Sequence, residues 1–345
     1  MNSKAWHGVA LAALAVVFTV ALTFATLEGP RLVSQFIQAH SDVPDLNPAV
    51  RPELVEAFMS RYHVRLVGYA CLALVAVLIV VGFLSEKTGF SSLGAMAFFL
   101  PTFGYFAAYM FFLAGLGLLR ALWLPFWGPW LKLGDIAMVP YMAVVYPFAR
   151  IGVDVHRDVA YLAIVLGLLA FVAGTLAWFY AKLQRQGTAR WWPYRFSRHP
   201  QYLGWMVWSY GLMLLAAQAP VPFGGQNPGA SLPWLISSLV IVCVALGEEL
   251  SMSGQHGPEY EAYRSSTPFL LPLPGAVSAL LAAPARWVLK ADRPSKRSQL
   301  LVIFLVYAAL LMLCSLPFVL LNWPPGLGWT SWPHLGAFGW RALAS

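Results

Sequence analysis

Seven stretches of this chain, each sixteen residues or longer, contain no Asp, Glu, Lys or Arg at all: 8–27, 66–84, 93–119, 159–181, 202–219, 232–247 and 300–321. A hydrocarbon core about 30 Å thick is crossed by roughly 20 apolar residues in a helix. Five of the seven runs meet that length. The two shorter ones, 202–219 and 232–247, remain free of charge. An eighth run, 136–149, is weakened by Pro140 and Pro147. The pattern predicts an all-α, polytopic membrane bundle of about eight spans, with seven as the alternative count.

Composition points the same way. Of 345 residues, 59% are hydrophobic and 10% charged, whereas a soluble domain is about a quarter charged. Disordered, fibrous and disulfide-rich classes are excluded on the same ground. Cys71, Cys243 and Cys314 all lie in apolar runs, with no disulfide framework and no zinc spacing. The 8–27 run, with Lys4 ahead of it, has the outline of a signal peptide; it is read here as a retained span. Segment 269–289 is apolar but carries Pro272, Pro274, Pro284 and Arg286. It is expected to be re-entrant or to lie in the interface.

The net charge of +8 calls for a membrane explanation before a nucleic-acid one. Residues 182–198 carry five Lys/Arg and no acid, and 248–297 carry six more. The segment between the corresponding spans, 218–231, is uncharged. The positive-inside rule puts both basic stretches in the cytoplasm. Eight spans then place both termini outside. By character the chain divides into plain spans (1–150), a region rich in ionisable groups at membrane boundaries (151–275), and a basic stretch, last span and Trp/Pro/Gly-rich tail (276–345).

Ionisable groups at the end of an apolar span are costly and mark candidate functional sites. Two clusters stand out. The first is Tyr194-Arg195-Phe196-Ser197-Arg198-His199-Pro200-Gln201-Tyr202-Leu203-Gly204-Trp205. Pro200 suits a helix start, so unpaired amides and a positive dipole end would sit beside Arg198 and His199. This is either an anion site or a basic anchor to lipid heads. The second cluster runs from Glu248 and Glu249 through Gly254, His256, Gly257 and Pro258 to Tyr260, Tyr263 and Arg264. The adjacent carboxylates either end a helix in water or are relieved by a cation, by donors or by a ligand's hydroxyls. Gly254, Gly257 and Pro258 are expected to break regular helix. Tyr260 and Tyr263 share a helix face as belt residues or ligand contacts. The run Asp154-Val155-His156-Arg157-Asp158 falls on the opposite side and is read as a charged loop without a catalytic role.

Taken in order, Arg198-His199-Pro200-x-Tyr202-x-Gly204, Glu248-Glu249, Gly257-x-x-Tyr260-x-x-Tyr263, Thr267-Pro268 and Leu271-Pro272 resemble the isoprenylcysteine carboxyl methyltransferase and phospholipid N-methyltransferase superfamily. The likeness covers about 188–274 and extends along 202–211 toward the carboxyl methyltransferase branch. The family's usual glycine before Pro-Tyr-Arg is Trp192 here, and its usual Phe before Gly257 is His256.

The resemblance implies an integral-membrane enzyme that uses S-adenosylmethionine and needs no metal, acting on a prenylated or otherwise lipophilic acceptor. By resemblance His199, Pro200, Tyr202, Gly204, Glu248, Glu249, Tyr260 and Tyr263 surround the cofactor. Arg198, Glu248 and Glu249 are the expected catalytic groups, with Arg195, Arg198, Trp205 and Arg264 toward the acceptor. A guanidinium matches a carboxylate fork, so Arg198 would orient an anionic acceptor. His256 is a stacking surface, a base for an amine, or a solvated side chain. A carboxylate acceptor needs no base, whereas an amine or thiol does. Carboxyl O-methylation is therefore the leading expectation. Phospholipid amine or small-thiol methylation comes next, and a sterol-type NADPH-dependent reductase is the alternative from another class. A transporter would call for mid-bilayer polar groups or an inverted repeat, and neither is visible.

Overall fold

The computed structural model describes residues 3–40, 129–184, 189–218 and 231–320, with eight positions between 66 and 84. Every regular element among these residues is helical. In chain order they are α1 (Ser3–His40), a 3-10 helix (Pro129–Met138), α2 (Val139–Arg150), α3 (His156–Leu183), α4 (Pro193–Phe196), α5 (Pro200–Gln218), α6 (Ser231–Ser266), α7 (Gly275–Leu289) and α8 (Ser298–Leu320). Among the described residues, three helical stretches are long and apolar enough to cross a bilayer: His156–Ala181, Trp234–Ser266 and Ser298–Leu320. The expected span 93–119, the 219–230 turn and the tail after Leu320 lie outside the described residues.

Several boundaries differ from the sequence expectation. Helix α1 runs on to His40 rather than ending near residue 27. The expected 136–149 span is a 12-residue helix, α2, preceded by the 3-10 helix. At 1.5 Å per residue α2 measures about 18 Å, too short to span alone. Helix α6 does not stop at residue 247 but continues to Ser266. Gly254 stays helical within it. The break falls at Gly257 alone (φ 51°, ψ −131°), where Pro258 begins the last turns as a first-turn proline.

Glycine decides how closely α3 and α5 pack. Gly167 and Gly174 on α3, and Gly204 and Gly211 on α5, each lie seven residues apart on one helix face. A methyl group on Gly167 would fall 2.2 Å from the Trp208 amide nitrogen, and one on Gly204 would fall 2.5 Å from that of Phe171. One on Gly211 would fall 2.6 Å from the Ala160 carbonyl oxygen. The two backbones therefore touch along an antiparallel crossing, as small residues permit between membrane helices. Phe171, Trp205, Met206 and Trp208 fill the flanks, with Trp205 and Trp208 rings 4.6 Å apart. Helix α1 leans on α3 through Phe18, whose ring meets Phe171 at 6.4 Å and Phe179 at 5.9 Å.

The antiparallel pairing brings the end of α3 and the start of α5 to one end of the bundle. The other end is closed by the 3-10 helix. There Ser231, at the start of α6, donates to Asp135, and the Ile136 amide donates to Ser315 Oγ of α8 at 3.1 Å. Met138, Tyr141, Val145, Ala160, Met213, Leu214 and Leu232 form the core at that end. Helix α8 returns beside α6, with Val240, Cys243, Leu300, Ile303 and Phe304 buried between them.

Candidate functional site

At the first end of the bundle the chain assembles a buried ionic network around Glu249. The start of α5 is set by His199, whose carbonyl accepts the Leu203 amide at 3.0 Å while Pro200 takes the first helical position. The Ser197 hydroxyl accepts the His199 amide at 3.2 Å. The Arg198 amide donates to the Pro268 carbonyl at 3.0 Å, tying this turn to the segment after α6.

Glu249, 3% exposed, receives three partners. Arg198 Nε lies 2.8 Å from Oε1, His199 Nε2 lies 3.2 Å from Oε1, and Arg264 Nε lies 3.4 Å from Oε2. The two arginine Nε groups are close enough for ion pairs but lack hydrogen-bond alignment. Arg198 donates through Nη1 to the Arg264 carbonyl at 2.7 Å, and its guanidinium lies 5.6 Å from the Phe269 ring centroid. Burial lowers the Arg198 pKa from its ordinary value, Glu249 opposes that, and the group stays cationic.

Glu248 behaves differently. It is 52% exposed, accepts the Tyr202 hydroxyl at 2.6 Å, and faces His199 Nδ1 at 3.9 Å. The His199 ring thus has one carboxylate at each nitrogen. It stacks on Tyr202 at 5.7 Å and meets Phe269 edge-on at 5.2 Å. The carboxylates beside the start of α5 are the chain's own: Glu248 and Glu249 contact the Tyr202 and His199 side chains there.

The last turns of α6, beyond the Gly257 kink, are held by five contacts. Arg190 pairs with Glu259 at 2.9 Å. The Tyr263 hydroxyl donates to the Tyr194 carbonyl at 2.7 Å. Ser253, before the kink, donates to Glu261 after it at 2.7 Å. Glu261 also pairs with Arg264 at 3.1 Å and with Arg293 at 3.2 Å. Tyr194, outside the spans, has its pKa raised chiefly by burial, then by Tyr263 and Glu248.

Of the residues singled out from sequence, Arg198, His199, Tyr202, Glu248, Glu249 and Arg264 meet in one network. Tyr260 and Tyr263 are buried beside it, their rings 6.0 Å apart. Arg195 is exposed on α4, without an ion pair among the described residues. Gly204 faces the α3 backbone and Trp205 is core between α3 and α5, so both act in helix packing. Ser253 and Glu261 fall within the second cluster but were given no role from sequence, and Phe269 and Arg293 were not singled out. Only Glu261 and Arg293 carried a signal, as opposite charges near a helix end.

Trp192 takes φ 49° and ψ −110°, close to the Gly257 conformation and in a region that favours glycine. The Tyr194 amide donates to the Trp191 carbonyl at 3.3 Å and closes the turn. Comparison with protein-family models, with curated proteins and with solved structures found no match for this chain.

Proposed function

We propose that this protein is a multi-pass membrane methyltransferase that takes its methyl group from S-adenosylmethionine and acts on a lipophilic acceptor. The observation that carries the reading is the meeting of Arg198, His199, Tyr202, Glu248 and Glu249 at one bundle end. These are the ordered motif residues of the resembled superfamily, contributed by two helices.

Bound here, the donor would supply an electrophilic methyl on a sulfonium. The chain's own groups divide the remaining work. Glu249, enclosed by Arg198, His199 and Arg264, fixes where α6 sits against the start of α5. Glu248 presents a half-exposed carboxylate, oriented by Tyr202, that suits a cationic centre or ribose hydroxyls. His199, Tyr202 and Phe269 offer an aromatic wall beside it. Holding two reactants in line in a dry setting is a large part of such a reaction. A carboxylate acceptor, the leading class, needs no proton removed. The exposed Glu248 carboxylate specifically favours an amine acceptor as the second reading, because it attracts a cation and can take its proton.

Seven spans, or eight where the 3-10 helix and α2 cross together, with the site end in the cytoplasm, complete the proposed topology. The basic residues of 182–198 and 248–297 flank that end. Segment α7, with its preceding prolines, is the re-entrant or interfacial piece.

The test is incubation of the purified full chain, in native lipid, with radiolabelled S-adenosylmethionine. Label should enter the lipid-soluble fraction. Alkali-labile label marks a methyl ester, and alkali-stable label marks an N-methyl product. Calorimetric binding of NADPH, with no response to S-adenosylhomocysteine and no label transfer, would replace this reading with a reductase.

A further inference from the structure

Helix α7 is a poor fit for a water-exposed surface. None of its 15 residues is buried. Its first eleven residues, GAVSALLAAPA, carry no charge. One side, through Ala285 and Leu289, packs against the Leu300–Phe304 cluster of α8, and the Tyr307 hydroxyl donates to the Leu281 carbonyl. A second side carries Val277, Leu280, Pro284 and Trp287, spaced three, seven and ten positions from the first. That spacing is one helical face. Leu280 is 73% exposed and Trp287 83%. Leu271 and Leu273, in the preceding loop, are exposed as well.

The far end of α7 is basic. Arg286, Lys290, Arg293, Lys296 and Arg297 fall within twelve residues that contain one acid, Asp292. Lys290 ends the helix in the left-handed conformation and is exposed, as is Lys296. Arg293 and Arg297 are engaged by Glu261 and Ser251, so Lys290 and Lys296 are the exposed cations of this loop without an ion pair among the described residues. An apolar face next to exposed cations complements one environment: acyl chains beneath anionic headgroups.

We propose that α7 and the Lys290–Arg297 loop form an anionic-lipid binding surface. The Val277–Leu280–Pro284–Trp287 face lies against acyl chains, and Lys290 and Lys296 take the phosphate-bearing headgroup. The proposal is independent of the methyl-transfer reading, since it requires only that the chain resides in a bilayer. The basic loop is continuous with the site: Arg293 holds Glu261, Glu261 holds Arg264, and Arg264 holds Glu249.

The experiment reconstitutes the full chain in nanodiscs of phosphatidylcholine with a minority of phosphatidylglycerol. Retained lipid is counted by native mass spectrometry. Phosphatidylglycerol should be enriched over phosphatidylcholine, and Lys290→Gln and Lys296→Gln should each reduce the enrichment by up to about fivefold, the worth of one cation at an anionic surface. In parallel, Trp287 emission is taken as the difference between the wild type and Trp287→Phe. Lipid brominated near the top of its acyl chain should quench it. Equal retention of both lipids, or unchanged enrichment in the double variant, overturns the headgroup assignment. A Trp287 signal that brominated lipid does not quench, but that falls when protein is diluted among empty discs, assigns the face to a second copy of the chain instead.

Discussion

His199 and Glu249, fifty positions apart in the chain, meet at 3.2 Å in a buried setting where α5 begins and α6 leaves its apolar stretch. The contact ties the start of α5 to the interior of α6, and the positive end of the α5 dipole favours a carboxylate near it. It also separates two neighbouring acids into different tasks, because the helix turns about 100° between Glu248 and Glu249. One faces the protein and the other faces outward.

That separation is open to measurement. Glu249→Gln leaves Arg198 buried without its counter-charge and Arg264 with Glu261 alone; breaking a buried pair typically costs about 3–5 kcal/mol. A large fall in thermal midpoint is expected in detergent. Glu248→Gln removes a half-exposed charge and should shift stability by about 0.5 kcal/mol or less. It should nonetheless lower donor binding, read by calorimetry with S-adenosylhomocysteine. Equal destabilisation by both variants would defeat the division of roles.

Arg198→Lys keeps the charge but loses the planar fork that contacts Glu249 and the Arg264 carbonyl together. Methyl transfer should fall at least tenfold while the protein remains folded by circular dichroism. Full retained transfer would show that a point charge suffices there.

Gly204→Val places a methyl group 2.5 Å from the Phe171 amide nitrogen, which backbone cannot yield cheaply. A loss of about 3 kcal/mol or more is expected, with poor recovery of folded protein. Gly254→Ala is the matched control. Its added carbon meets nothing within 4 Å, so helix propensity should stabilise by about 0.5–1 kcal/mol. Thermal midpoints of the two should move in opposite directions.

Trp192→Gly relieves a positive φ at an exposed residue. Backbone strain of this kind is worth about 1–3 kcal/mol, against a loose stack on Trp191 at 6.3 Å. The variant should be at least as stable as the parent in a denaturation series.

Asp135, outside the spans, has its pKa raised to about 6 by burial, with Ser231 and Lys132 opposing. A carboxyl whose folded pKa exceeds its unfolded value of 3.8 binds its proton more tightly in the native state. Its stabilising contribution is complete below about pH 4, declines as pH rises to about 6, and is absent above. Asp135→Asn should remove that decline. Thermal midpoints of both proteins between pH 4 and 7.5 give the comparison.

Much of the architecture was legible in the sequence because membrane helices announce themselves by composition. Stretches 159–181, 202–219 and 300–321 correspond to α3, α5 and α8 within a few residues. No pattern of hydropathy could mark where α6 ends, since its charged last turns are helical through contacts made elsewhere: Glu259 with Arg190, Glu261 with Arg293, Tyr263 with Tyr194. The 3-10 helix was equally hidden, being held by Ser231 and Ser315 from distant helices.

Sequence alone determined that this chain has stretches long and apolar enough to cross a bilayer, and that Arg198, His199, Glu248 and Glu249 are ionisable groups at the ends of two of them. Tertiary structure alone decided which of these are used up in holding one another. Position along a helix tells which residues are near its end, but only the packing angle of α5 on α6 tells which carboxylate turns inward. Burial then makes that choice decisive, because a charge removed from water must find its partners within the protein.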